Sequence, residues 1–100
     1  MQRRKKQIHP SDLRLRAIGA VVREFRERAG HSQERLSAEC GFDRTYISRV
    51  ERGIINPTVS RLWRIADTLE TPLSKFTVEM EMWVAAHMRQ SSRRSDTKRT

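Results

Sequence analysis

The chain lacks most of what marks a secreted domain, a membrane protein or an enzyme. It has one cysteine, Cys40, so it cannot form an internal disulfide, and a reducing, cytoplasmic setting is expected. No apolar run approaches the roughly 18 residues of a membrane helix. The opening MQRRKKQIHP is basic but leads into no apolar stretch, so it does not read as a secretory signal. Aromatic residues number six in 100, and a chain of this length encloses one core at most, which argues against a deep enzymatic pocket. His9, His31 and His87 are far apart, with no cysteine or carboxylate at metal-ligand spacing. There is no glycine-rich phosphate loop and no nucleophile elbow. Glu79 and Glu81 straddle Met80 and do not share a helix face. No catalytic residue, cofactor or metal is assigned.

Positive charge is plentiful: 21 Lys and Arg stand against 12 Asp and Glu, a net charge of +9. Its location matters more than its size. Residues 1–16 hold six basic groups against Asp12, and residues 89–100 hold five against Asp96. The stretch between them carries ten of each sign and is neutral. The ends therefore read as a basic flexible arm over 1–10 and a basic disordered tail over 91–100. Both roles remain open for them: solubilising ends, or weak electrostatic help toward a polyanion.

The pattern between the ends is helical throughout, which predicts an all-α fold of five or six helices. Ser11 reads as an N-cap, and Leu15, Ile18, Val22, Phe25 and Ala29 follow at spacings of three and four, one helix face, before Gly30. Ser32 caps a short helix over 33–40. Asp43 caps a third helix over 44–52, with Ile47 and Val50 inward. Thr58 caps a fourth, with Val59, Leu62, Ile65, Ala66 and Leu69 inward. Thr71-Pro72 opens the last segment, which reads as one helix or as two broken at Thr77-Val78. The predicted core is Ile18, Val22, Phe25, Leu36, Cys40, Ile47, Val50, Leu62, Ile65, Ala66, Leu69 and Phe76.

Residues 32–58, SQERLSAECGFDRTYISRVERGIINPT, carry the functional signal. Two short helices joined by a turn at Gly41 have the spacing of a helix-turn-helix, whose second helix projects and fits a DNA major groove. Arg44, Thr45, Ser48 and Arg49 lie opposite the inward residues. Arginine can bond a guanine edge in bidentate fashion, and Thr or Ser can meet a base or a thymine methyl. Gln33 starts the preceding helix, where its amide and free backbone N–H groups suit a phosphate.

The string SQERLSAECGFDRTYISRVERG resembles the helix-turn-helix of the Cro and phage-repressor superfamily, the XRE family. NPT and RLWRIADTLETPLSKF resemble its fourth and fifth helices, so the likeness runs over about residues 15–77, the expected lambda-repressor-like domain of residues 11–77. DRTYISRVERG is especially similar to controller proteins of restriction–modification systems. The resemblance implies base contacts from Arg44, Thr45, Ser48 and Arg49. It implies phosphate contacts from Gln33, Arg52 and Asn56, and a structural ion pair between Arg26 and Glu51. Tyr46 stands open between a core role and a backbone contact. Ser37 departs from the alanine of many members but is still small.

Residues 78–90 fall outside the resemblance. Met80, Trp83, Val84 and His87 form one stripe, read either as closing the core or as the interface of a homodimer. The expected function is a sequence-specific DNA-binding transcription regulator, acting as a homodimer on a pseudo-palindromic operator in double-stranded DNA. The alternative is an antitoxin-type interaction module that binds a protein partner through its C-terminal helix as well as DNA. No membrane role is expected. The folded body should be only locally positive, around Arg44, Arg49 and Arg52.

Overall fold

The computed structural model describes the backbone of residues 10–99 and the side chains of residues 12–90. Five helices follow in order: α1 Pro10–Arg28, α2 Gln33–Cys40, α3 Tyr46–Glu51, α4 Val59–Thr68 and α5 Leu73–Arg99. The arm expected over 1–10 lies outside the described residues except for Pro10, which opens α1. Ser11 thus sits inside the first turn, because proline's fixed φ and missing N–H suit the first helical position. Ser32 and Thr58 cap α2 and α4 as their types predict, accepting from the Arg35 and Arg61 amides at 3.0 and 3.1 Å.

Two further boundaries differ from the sequence pattern. α3 begins at Tyr46, two residues later than predicted, and Asp43 does not cap it. The Asp43 carboxylate instead accepts from the Thr45 amide two residues on, which holds Arg44 and Thr45 in a turn. α5 passes Thr77-Val78 unbroken, the one-helix alternative for this segment. Its backbone continues as helix over 91–99, where the composition predicts a disordered tail; that stretch holds neither glycine nor proline to end a helix.

The core is one cluster: Val21, Val22 and Phe25 from α1, Leu36 and Cys40 from α2, Tyr46, Ile47 and Val50 from α3, Leu62, Ile65, Ala66 and Leu69 from α4 and its end, and Phe76 from α5. Phe25 and Phe76 stack at 4.6 Å and tie α1 to α5. Ile18 packs on the cluster but is only partly buried. Ala29 is exposed, and Ala17 and Val21 are buried in its stead. α1 packs against both α5 and α3, so two stripes of it are covered rather than one. Val59 is 64% exposed rather than inward, since it sits in the first turn of α4 beyond the core.

The contact between α1 and α3 sets the position of α3. Gly19 faces the end of α3, where an added Cβ would lie 2.5 Å from the Val50 carbonyl oxygen and 2.6 Å from that of Glu51. Backbone oxygens cannot turn aside, so only glycine permits this approach. Gly19→Ala should therefore lose about 1–3 kcal/mol by overpacking, despite alanine's better helix propensity. Urea unfolding measures this directly; an unchanged or higher midpoint would contradict the close approach.

Candidate nucleic-acid interface

The turn between α2 and α3 is built by polar side chains reaching across it. Gly41 takes φ 75°, the left-handed conformation that ends α2 at little cost only with glycine. Ser37 is fully buried, and its hydroxyl oxygen accepts from the Ile47 amide at 3.2 Å. One of the orphan donors of α3 is thus satisfied from α2 rather than from its own N-cap. The sequence marks Ser37 only as small, and its hydroxyl explains why alanine is not equivalent here. Asp43 accepts from the Thr45 hydroxyl at 2.7 Å and the Thr45 amide at 3.2 Å, and lies 3.7 Å from the Arg49 guanidinium. The Thr45 hydrogen bonds, with Arg49 adding to them, hold the Asp43 carboxyl below its ordinary range. Its hold on this turn is therefore present at neutral pH and is lost as pH falls through that lowered value.

The four residues assigned to base contacts share one end of the molecule. Arg44 and Thr45 occupy the turn before α3, and Ser48 and Arg49 lie on α3, half-buried. Arg44 is exposed, and its guanidinium makes no ion pair or hydrogen bond among the described residues. Arg52 caps α3, its Nε donating to the Ser48 carbonyl at 3.4 Å.

Behind α3 lies a buried polar network. Arg26 Nε and Nη2 donate to Glu51 Oε2 and Oε1 at 2.6 and 3.1 Å. The two side chains are 10% and 4% exposed. Arg26 Nη1 also donates to the His31 carbonyl at 2.7 Å, and Gln33 Nε2 donates to Glu51 Oε1 at 2.9 Å. Hydrogen bonding to Glu51 raises the Arg26 pKa still further, against the desolvation of the guanidinium. One carboxylate on α3 thereby fixes α1, the α1–α2 turn and the start of α2.

A cleft of about 300 Å³ opens between α3 and the start of α4, lined by Tyr46, Arg49, Ile55, Asn56, Thr58 and Arg61. Tyr46 is 7% exposed and belongs to the core, and it also lines this cleft. Arg61 stacks over Tyr46 and Phe42 at 5.0 and 5.4 Å, and Arg64 over Phe42 at 5.4 Å. Neither Arg61 nor Phe42 stands out in the sequence. Arg61 is one of many arginines, and only the fold brings α4 over the aromatic pair of the turn. The acids lie elsewhere: Glu24, Glu27 and Glu39 pair with Arg28, Arg23 and Arg35 on α1 and α2. Asp43 is an exposed acid at the end that carries Arg44, Arg49, Arg52 and Arg61, and Glu51 there is buried in its pair with Arg26.

Two further sets of residues lie apart from this end. Met80, Trp83, Val84 and His87 are half-buried. Met80 and Val84 line a cavity shared with Ala17 and Ile18 of α1, and Arg16 lies over Trp83 at 6.0 Å. His87 stacks on Trp83 at 3.6 Å. The inner side of this stripe is thus occupied by α1 of the same chain. Cys40 is buried against α4, 3.4 Å from the Thr68 hydroxyl, and burial pushes its thiol pKa up. Such a thiol packs rather than reacts.

The buried pair should show itself in unfolding. Glu51→Ala leaves Arg26 buried without its carboxylate and should cost about 3–5 kcal/mol, whereas Arg26→Met/Glu51→Leu together should cost distinctly less. Urea unfolding of the two variants tests this; additive losses would mean that the groups are not a coupled unit.

This arrangement has counterparts among known proteins. A family model described as helix-turn-helix matches residues 22–76. The HTH-type transcriptional regulator SlrR of Bacillus subtilis is 38% identical over 68 residues, covering 66% of this chain and 45% of that protein. Among solved structures, the restriction-modification controller protein C.Esp1396I, crystallised as a tetramer with its natural 35 base-pair operator, superposes with a TM-score of 0.66. It is 30% identical, and the match covers 72% of this chain and 95% of that one. The clp gene regulator ClgR of Corynebacterium glutamicum shares the fold, with a TM-score of 0.76 at 24% identity over 80% of this chain and 85% of that one. The chain spans about half the length of the curated relatives it matches. With more than half of its residues in the family match and its turn, caps and buried pair built as described, the chain belongs to the XRE-type helix-turn-helix family.

Proposed function

We propose that this chain is a sequence-specific DNA-binding transcription regulator that acts as a homodimer on a pseudo-palindromic operator. The observation that carries this reading is the polar end of the molecule. There Arg44, Thr45, Ser48 and Arg49 surround a short helix that a buried network fixes to the body. Residues 44–52 enter the major groove. Arg44 and Arg49 read guanine edges, and Thr45 and Ser48 meet neighbouring bases. Asp43 positions Thr45 and Arg49.

Phosphates flank this reader on two sides. An amide nitrogen carries two N–H groups, and Gln33 gives one to Glu51. The other remains for a backbone phosphate, from a side chain already held in place. On the far side, Arg52, Asn56 and the cleft bounded by Tyr46 and Arg61 take the next phosphates. C.Esp1396I was captured on its own operator, and the match to it covers 72% of this chain.

Two copies are favoured on energetic grounds. One short helix supplies three or four base contacts, each discriminating by about 1–3 kcal/mol. A second half-site roughly 34 Å away doubles that discrimination and makes the operator two-fold symmetric.

Binding-site selection from random duplex DNA tests the reading. The wild-type chain should enrich one palindromic sequence. Arg44→Ala and Arg49→Ala should each relax preference at one position per half-site and lose about 1–3 kcal/mol. Gln33→Ala and Arg61→Ala should instead weaken all sequences alike, with the salt slope of affinity reduced in Arg61→Ala. No enrichment, or an unchanged preference in both Arg44→Ala and Arg49→Ala, would overturn it.

A further inference from the structure

The end of α2 presents an aromatic residue to α4. The Gly41 amide donates to the Ala38 carbonyl at 3.0 Å and the Phe42 amide to the Ser37 carbonyl at 2.9 Å, the two bonds of a Schellman motif. A hydrophobic residue in the place of Phe42 usually packs back on its own helix. Phe42 does touch the core, but it is only half-buried, and its ring also meets that of Tyr46 at 4.5 Å between centroids.

Two arginines of α4 converge on this pair. Arg61 lies 5.4 Å from the Phe42 centroid and 5.0 Å from that of Tyr46, and Arg64 lies 5.4 Å from Phe42. Residues three apart on a helix are neighbours, so these like charges repel. On α1 and α2, Arg23, Arg28 and Arg35 are each neutralised by a glutamate four residues away. Arg61 and Arg64 have no ion pair among the described residues. Arg64 spends its Nη1 on the Cys40 carbonyl at 3.2 Å, at the end of α2. The Arg61 guanidinium makes no hydrogen bond among the described residues. Its N–H groups are unspent where it lines the cleft with Asn56 and Thr58.

We propose that Phe42 is a positioning residue for DNA binding, which with Tyr46 holds the Arg61 guanidinium in place for a backbone phosphate. This rests on the phosphate contact assigned to Arg61 above and names what prepares it. A loose arginine side chain gives up rotamer freedom when it binds. Stacked on two rings, Arg61 has given up that freedom before DNA arrives. The planar guanidinium stacks through its face and keeps its N–H edge for the anion. Phe42 carries no charge, and its effect on DNA runs through Arg61.

A double-mutant cycle on DNA affinity tests this, with NMR of the free chain beside it. In the free wild-type chain the Arg61 Nε–H should be ordered, and the neighbouring side-chain protons should carry a ring-current shift. Phe42→Leu should weaken both signatures. It should also weaken binding to the selected operator and to a scrambled duplex alike, by about two- to fivefold. The salt slope should not change, because the charge is kept. Arg61→Ala should lose more and lower the slope by about one. In the Arg61→Ala chain, adding Phe42→Leu should cost nothing further. Phe42→Tyr keeps the ring and should recover the affinity that Phe42→Leu loses. A ring that merely shaped the turn would cost the same affinity with or without Arg61. Thermal unfolding is followed for every variant, so that affinities are compared between folded chains.

Three outcomes overturn the proposal: a Phe42→Leu loss that persists in full in the Arg61→Ala chain, a folded Phe42→Leu chain that binds DNA as tightly as wild type, or a mobile Arg61 without ring-current shift in the free wild-type chain. The last decides the matter if Phe42→Leu does not fold. An additive cycle in a chain that still selects its operator would refute the positioning role and leave the DNA reading intact. A chain that binds no DNA, with Arg61 ordered by Phe42, would refute the DNA reading and the phosphate role with it.

Discussion

The Glu51 carboxylate holds this structure together at its functional end. It accepts two hydrogen bonds from Arg26 and one from Gln33, while Arg26 also bonds the His31 carbonyl. α1, the α1–α2 turn and the start of α2 are thereby fixed to one side chain of α3. Burying an ion pair is a poor way to gain stability, because desolvation offsets most of the attraction. Its value here is geometric. α3 has six residues, too few to be stable or oriented alone. The network sets its angle, Gly19 sets its distance from α1, and Ser37 satisfies its first turn.

Legibility in the sequence followed the range of the interaction. Ser32 and Thr58 act within one turn of themselves, and both are caps as their types predict. The apolar periodicity of α4 located Leu62, Ile65, Ala66 and Leu69, and that of α5 located Phe76. Where a residue's role depends on another element, the pattern fell short. Asp43 has the right type for an N-cap, but it bonds the residue two positions on and delays α3. Ala17, Val21 and Gly19 are unremarkable until α1 is seen to pack on two neighbours. Arg61 and Phe42 come together only through the fold. The Arg26–Glu51 pair, 25 residues apart, was implied by family resemblance and not by periodicity, and the structure places the two groups in bidentate contact.

The division of the surface follows the division of charge. The whole of the +9 lies at the two ends of the sequence, yet the body is not featureless. Glu24, Glu27 and Glu39 are engaged by arginines one helical turn away on α1 and α2, while Arg44, Arg49, Arg52 and Arg61 gather at the α3–α4 end around Asp43. α5 carries its own asymmetry, acidic near Glu79 and Glu81 and basic from Arg89 onward. The arginines of the α3–α4 end thus lie apart from the exposed apolar residues of α5.

In the proposed reading the buried carboxylate serves recognition through the placement of α3, beyond its effect on stability. The most direct measurement is the ratio of affinities for the selected operator and a scrambled duplex, compared between the wild-type chain and Glu51→Gln at a temperature where circular dichroism shows both folded. Glutamine keeps the shape but loses the charge-assisted pair, so α3 is held less firmly. The ratio should fall by about tenfold or more, while the scrambled-duplex affinity, set by phosphate contacts, changes little. An unchanged ratio in a folded Glu51→Gln chain would contradict the account.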